Sequence, residues 1–162
     1  MADELRCHRF VAAVFRDPGD VAQSISRLLQ DSFTASQFLV LVSHDGTGMG
    51  QALKRNGVEG VSVAPLKSTD PLPLGSGLRH LLGKMKAIDQ QLREAGAPFA
   101  VEDTHPIYSR LPAELARGAF ILIFAVDHAE QQLRGARMVL RGNSECVLTH
   151  ELELSEYEDH AR

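Results

Sequence analysis

"FILIFAVDHAEQQLRGARMVL", residues 120–140, decides the fold, because residues 10–29 carry the same order of features. Phe120 to Val126 is apolar at every position. A strand buried on one face alternates, whereas a run like this reads as a strand covered on both faces. Asp127 follows, and then Leu133, Ala136 and Leu140 recur at helical spacing. The earlier stretch has an apolar run, Phe10 to Phe15, then Asp17, then the stripe Val21, Ile25, Leu28 and Leu29. Each copy is followed by a second apolar strand, Phe38 to Val42 in the first and Cys146 to Leu152 in the last. Both halves therefore read strand, helix, strand. Their helix starts share a chemistry: Asp17 before Pro18 suits a capped first turn, and Asp127 with Glu130 three residues on resembles a capping box.

Two such units in tandem predict an α+β protein with a ferredoxin-like βαβ–insert–βαβ plan. Four strands would form the sheet, with two helices on one face and a helical insert between the halves. The alternative is a small open α/β sheet with helices on both sides. At 162 residues, a single domain over 1–162 is expected, with a core at 9–44 and 118–153 and an insert at 45–117. In the ferredoxin-like plan Phe10–Phe15 and Phe120–Val126 are the central pair, and the two helices cover one side only. The insert's long helix or a second copy must cover the other, which makes a homodimer or a protein partner an expectation.

The insert is patterned. Residues 50–56 predict a short helix closed by Gly57, and Val61 to Ala64 a short strand. Residues 65–77, rich in proline and glycine, read as loop. Leu78, Leu81, Leu82, Met85, Ile88 and Leu92 then define an amphipathic helix ended by Gly96 and Pro98. Residues 97–107 read as loop, and Pro112 to Arg117 as one further helical turn.

Composition excludes several functions. A net charge of −4, with scattered basic residues, lacks the cationic stripe that nucleic-acid binding relies on. The longest apolar run, Ala119 to Val126, is far short of the roughly 20 residues of a membrane-spanning helix. Two cysteines, Cys7 and Cys146, are too few for a disulfide framework, and the polar start carries no signal-peptide pattern. A cytoplasmic protein is the expectation.

The stretches FVAAVFRDPGDVAQSISRLL with QFLVLVS, and LARGAFILIFAVDHAEQQLRGARMVL with CVLTHEL, resemble the bacterial general stress protein (heat-induced stress protein) family. The resemblance covers residues 9–44 and 108–153. Where many of its members carry a glycine- and alanine-rich apolar middle, this chain has a charged amphipathic helix. The family brings no established enzyme activity, so the resemblance implies a fold and a stress context.

Two clusters merit a chemical reading. Asp45, Gly46, Gly48 and Gly50 follow a strand and precede a helix, as phosphate loops do. The dinucleotide fingerprint Gly-x-Gly-x-x-Gly would need a third glycine where Gln51 stands, so a small ligand or anion is the most this loop supports. Cys7, His8 and His150 are candidate metal ligands, because a ferredoxin-like sheet sets the start of its first strand beside the end of its last. Glu102, Asp103 and His105 form a polar cluster without a nucleophile. No catalytic residue and no cofactor is assigned. The expected function is a non-catalytic stress-related or accessory protein acting by self-association or partner binding through the open sheet face. The alternative is a small-ligand or anion-binding module using the glycine loop.

Overall fold

β1 (Arg9–Phe15) and β4 (Phe120–Val126) lie antiparallel at the centre of the sheet in the computed structural model, which describes residues 9–31, 33–43, 48–66, 76–95, 106–126 and 130–151. Phe10 stands opposite Ala125 and Phe15 opposite Phe120. β2 (Phe38–Val42) borders β4 on one side, and β5 (Cys146–Glu151) borders β1 on the other, both antiparallel. The sheet has a fifth strand, β3 (Ser62–Pro65), parallel to β2, giving the order β3-β2-β4-β1-β5. The protein is thus α+β, with a five-stranded mixed open sheet and five α-helices among the described residues. Four strands were expected. The fifth is the short insert strand at 61–64, displaced by one residue, whose place beside β2 has no local signal.

The continuous apolar strands are covered on both faces, as their composition demands. Val11, Ala13 and Phe15 of β1, Val40 and Val42 of β2, and Leu122, Phe124 and Val126 of β4 form one core. Helices α1 (Pro18–Leu29), α2 (Met49–Arg55) and α5 (Glu130–Asn143) close it with Val21, Ile25, Leu28, Met49, Leu53, Ala136 and Leu140. The alternate positions, Phe10, Ala12, Val14, Leu39, Leu41, Ile121 and Ile123, face the other way. There α3 (Ser76–Ala95) supplies Leu78, Leu81, Leu82 and Met85, and α4 (Pro106–Ala116) supplies Leu111 and Leu115. The helices of the two strand–helix–strand units, α1 and α5, share one face as expected, and the insert's long helix α3, with α4, covers the other, so the open sheet has helices on both sides as in the alternative reading. Burying a leucine or methionine contributes about 1.5–3 kcal/mol, so the four apolar side chains of α3 are enough to hold it on the sheet.

Local chemistry sets the boundaries. Gly57 adopts a positive φ of 70° and ends α2 in a Schellman turn. Its N–H donates to the Lys54 carbonyl at 3.0 Å, and the Val58 N–H donates to that of Leu53 at 2.9 Å. At the start of α1, Pro18 takes the first helical turn as predicted, but the Asp17 side chain makes no capping bond. The N–H of Asp20 is already donated to the Asp17 carbonyl at 3.2 Å, and Pro18 has none to give. Asp127 lies outside the described residues. α4 is longer than the single turn expected at 112–117, because Pro112 sits inside the helix rather than opening it. Pro106 opens it instead, and burial of Leu111, Pro112, Ala113 and Leu115 outweighs the backbone bond that Pro112 forfeits.

Candidate functional site

Two regions carry the residues expected to do chemistry. The first is the turn between β2 and α2. Asp45 and Gly46 lie outside the described residues. Gly48 holds the N-cap position of α2 with φ of 88°, a left-handed conformation that side chains other than glycine's resist. A Cβ there would meet only Pro18 Cγ at 3.9 Å, an ordinary contact, so the requirement is one of backbone and not of space. Gly50 lies in the first turn of α2, exposed, and a Cβ on it would have nothing within 4 Å. α2 spans seven residues, Met49, Ala52 and Leu53 of which are buried. The glycines are therefore explained by a turn at Gly48 and by an open helix surface at Gly50.

That explanation makes opposite predictions for the two positions. Gly48→Ala should destabilise the protein by about 1–2 kcal/mol, the cost of a left-handed residue bearing a Cβ. Gly50→Ala should be neutral or stabilising by up to about 1 kcal/mol, the difference in helix propensity. Paired urea-unfolding curves check both; a stability loss at Gly50 equal to that at Gly48 would mean that something beyond α2 depends on its bare backbone.

The second region is the edge of the sheet where β1 meets β5. Arg9 stands opposite Glu151, Phe10 opposite His150 and Val14 opposite Cys146. The expected neighbourhood of the first and last strands is therefore present in the backbone. Cys7 and His8 lie outside the described residues, and of His150 only the backbone is described. Cys146, at the far end of β5, is four residues from His150, or about 13 Å along a strand. Its thiol is free and partly exposed, packed against the core beneath α3 and α4. Among the described residues no group of three or more histidine, cysteine, aspartate or glutamate side chains is arranged to hold a metal ion. The cluster Glu102, Asp103 and His105 lies outside the described residues.

Charge chemistry at the opposite end of β1 went unread in the sequence. Arg16 donates from Nη2 to Glu114 Oε2 of α4 at 2.7 Å and from Nε to Glu145 Oε2, in the turn before β5, at 3.0 Å. Arg117 Nη1 reaches the other Glu114 oxygen at 3.5 Å. The hydrogen bond to Glu145, with the charges of Glu145 and Glu114 behind it, holds the Arg16 guanidinium above its ordinary pKa. Arg16 and Glu145 are 129 positions apart, so no local pattern could join them. The cluster ties α4 and the α5–β5 turn to the end of the central strand. His80 of α3 is a second residue the sequence did not mark: it is 2% exposed, on a helix turn whose apolar neighbours Leu78, Leu81 and Leu82 carried the reading.

No family model, no curated protein and no solved structure matches the chain. Among the described residues no helix is long and apolar enough to cross a membrane.

Proposed function

We propose that this is a non-catalytic, cytoplasmic stress-related or accessory protein that works by associating with a second copy of itself through the β5 edge of its sheet. The observation that carries the reading is the contrast between β5 and its neighbour. Phe10 to Phe15 of β1 are fully buried, whereas Cys146, Val147 and Leu148 of β5 are only partly so and Thr149 is exposed. Among the described residues no strand pairs with the outer side of β5. An unpaired edge presents a row of N–H and C=O groups that a second strand can take up. The opposite edge, β3, is four residues long and ends in Pro65, which has no N–H to donate. The sheet face that the sequence left open is occupied by α3 and α4, so an edge is the better surface for association.

The strand order supports a ferredoxin-like core. β5, β1, β4 and β2 run antiparallel in that sequence, each βαβ unit split by a strand of the other, and β3 is an addition at the rim. The resemblance of residues 9–44 and 108–153 to general stress proteins supplies the stress context.

Sedimentation velocity over a range of concentrations tests the reading. The protein should form a dimer, and Thr149→Lys, which places a charge on the exposed edge, should shift it to monomer with an unchanged far-UV circular dichroism spectrum. A protein that stays monomeric at the highest concentration, or a dimer indifferent to the edge lysine, overturns it.

A further inference from the structure

The outward surface of α5 combines exposed arginines with an exposed methionine. After Glu130 the helix carries Arg134, Arg137 and Arg141 and no acidic residue. Arg134, Met138 and Arg141 recur at spacings of four and three, which sets them on one helical face. Arg134 and Arg141 are exposed, and Met138, at 75%, is the large apolar side chain most open to solvent among the described residues. Arg137 flanks them with its Nε buried and without a hydrogen-bond partner. No ion pair among the described residues engages any of the three arginines. Two cations around an exposed methionine fit an acidic segment that also carries apolar side chains.

The sequence contains such a segment directly after β5. From Glu151 it reads Glu-Leu-Glu-Leu-Ser-Glu-Tyr-Glu-Asp, with acids at 151, 153, 156, 158 and 159 and apolar side chains at 152, 154 and 157. The topology brings it within reach. α5 and β5 are joined by two residues and run back along one another. Fourteen helical residues rise about 21 Å and six strand residues about 20 Å, so the end of β5 comes level with the start of α5 and with Arg134. Eight further residues extend up to about 26–29 Å, more than the roughly 10 Å from Arg134 to Arg141.

We propose that the face of α5 formed by Arg134, Met138 and Arg141 is the docking surface for the acidic segment Glu153–Asp159 of the same chain. The carboxylates pair with Arg134 and Arg141, and Leu154 or Tyr157 covers Met138. Being tethered beside its surface, the segment binds at high effective concentration, so contacts too weak to hold a free peptide suffice.

The test uses the full chain with its four methionine methyl groups labelled for NMR. Met49 and Met85 are buried and serve as internal references. Replacing Glu153, Glu156 and Glu158 by Gln and Asp159 by Asn should move the Met138 methyl resonance and leave those of Met49 and Met85 in place. Raising the salt concentration should move the wild-type Met138 resonance the same way, because exposed ion pairs are screened. In Arg134→Gln/Arg141→Gln the amides of residues 153–159 should exchange faster than in the wild type. A Met138 resonance unaffected by the tail substitutions and by salt overturns the proposal. So does a perturbation that grows with protein concentration, which would assign the occupant to a second copy.

Discussion

Phe124→Ala is expected to lower the unfolding free energy by about 3–5 kcal/mol, the range for removing a buried aromatic side chain from a packed core. Phe124 is fully buried on the central strand β4 and closes the core beneath α1, α2 and α5. Its ring meets that of Phe38 at 5.2 Å and that of Phe33 at 5.3 Å, both edge to face, and Phe33 in turn lies 5.9 Å from Phe38. Truncation therefore removes transfer energy, leaves a cavity and breaks two aromatic contacts worth about 0.5–1.5 kcal/mol each. The three rings come from β4, β2 and the segment before β2, so the cavity cannot collapse by moving one element. Urea unfolding followed by fluorescence-independent probes, circular dichroism and hydrogen exchange, measures the loss. A change below about 1 kcal/mol would mean that the site relaxes in a way a close-packed interior does not allow.

Leu81→Asp should have an effect of similar size but a different character. Leu81 is fully buried where α3 meets the sheet, beside Phe10, Leu39, Leu41, Ile121 and Ile123. Leu→Ala at such a site costs about 2–5 kcal/mol, and an aspartate adds the penalty of an unpaired charge in apolar surroundings. The cheapest escape is for α3 to leave the sheet. The variant should then bind a hydrophobic dye and associate at concentrations where the wild type does not, because the uncovered face is a large apolar patch. Leu81→Ala, which leaves no charge to expel, should lose stability without dye binding. If Leu81→Asp binds no dye and unfolds at the wild-type urea concentration, α3 is not what shields this face.

The legibility of these features in the sequence follows their range. The central strands are readable because six apolar residues in a row in β1 and seven in β4 demand cover on both faces, and the structure supplies it with α1, α2 and α5 on one side and α3 and α4 on the other. The α3 stripe was readable because Leu78, Leu81, Leu82 and Met85 repeat at the helical period. β3 was visible as a strand but its partner was not, since parallel pairing with β2 depends on the path of the intervening α2. Pro112 signals a helix start, but α4 begins at Pro106, and the burial of Leu111, Ala113 and Leu115 carries the helix through Pro112. Asp17 has the identity of a cap, yet its side chain makes no capping bond and its carbonyl accepts the Asp20 N–H instead. The Arg16 cluster had no signal at all, because Glu114 and Glu145 reach it across 98 and 129 positions. Of the proposed ligand residues, Gly48 has a backbone reason to be glycine and Gly50 lies on an exposed helix turn, while Asp45 and Gly46 lie outside the described residues.

The position of β1 has a consequence for how the protein is made. Both of its neighbours, β4 and β5, are built from residues 120–151, so β1 is synthesised more than a hundred residues before the strands that meet its hydrogen bonds. At about 5–20 residues per second, the apolar run FVAAVF waits several seconds for its partners to be synthesised. During that interval α1 can cover at most one side of it. Until β4 and β5 pair with it, the run is exposed apolar surface of the kind that draws chains into aggregates.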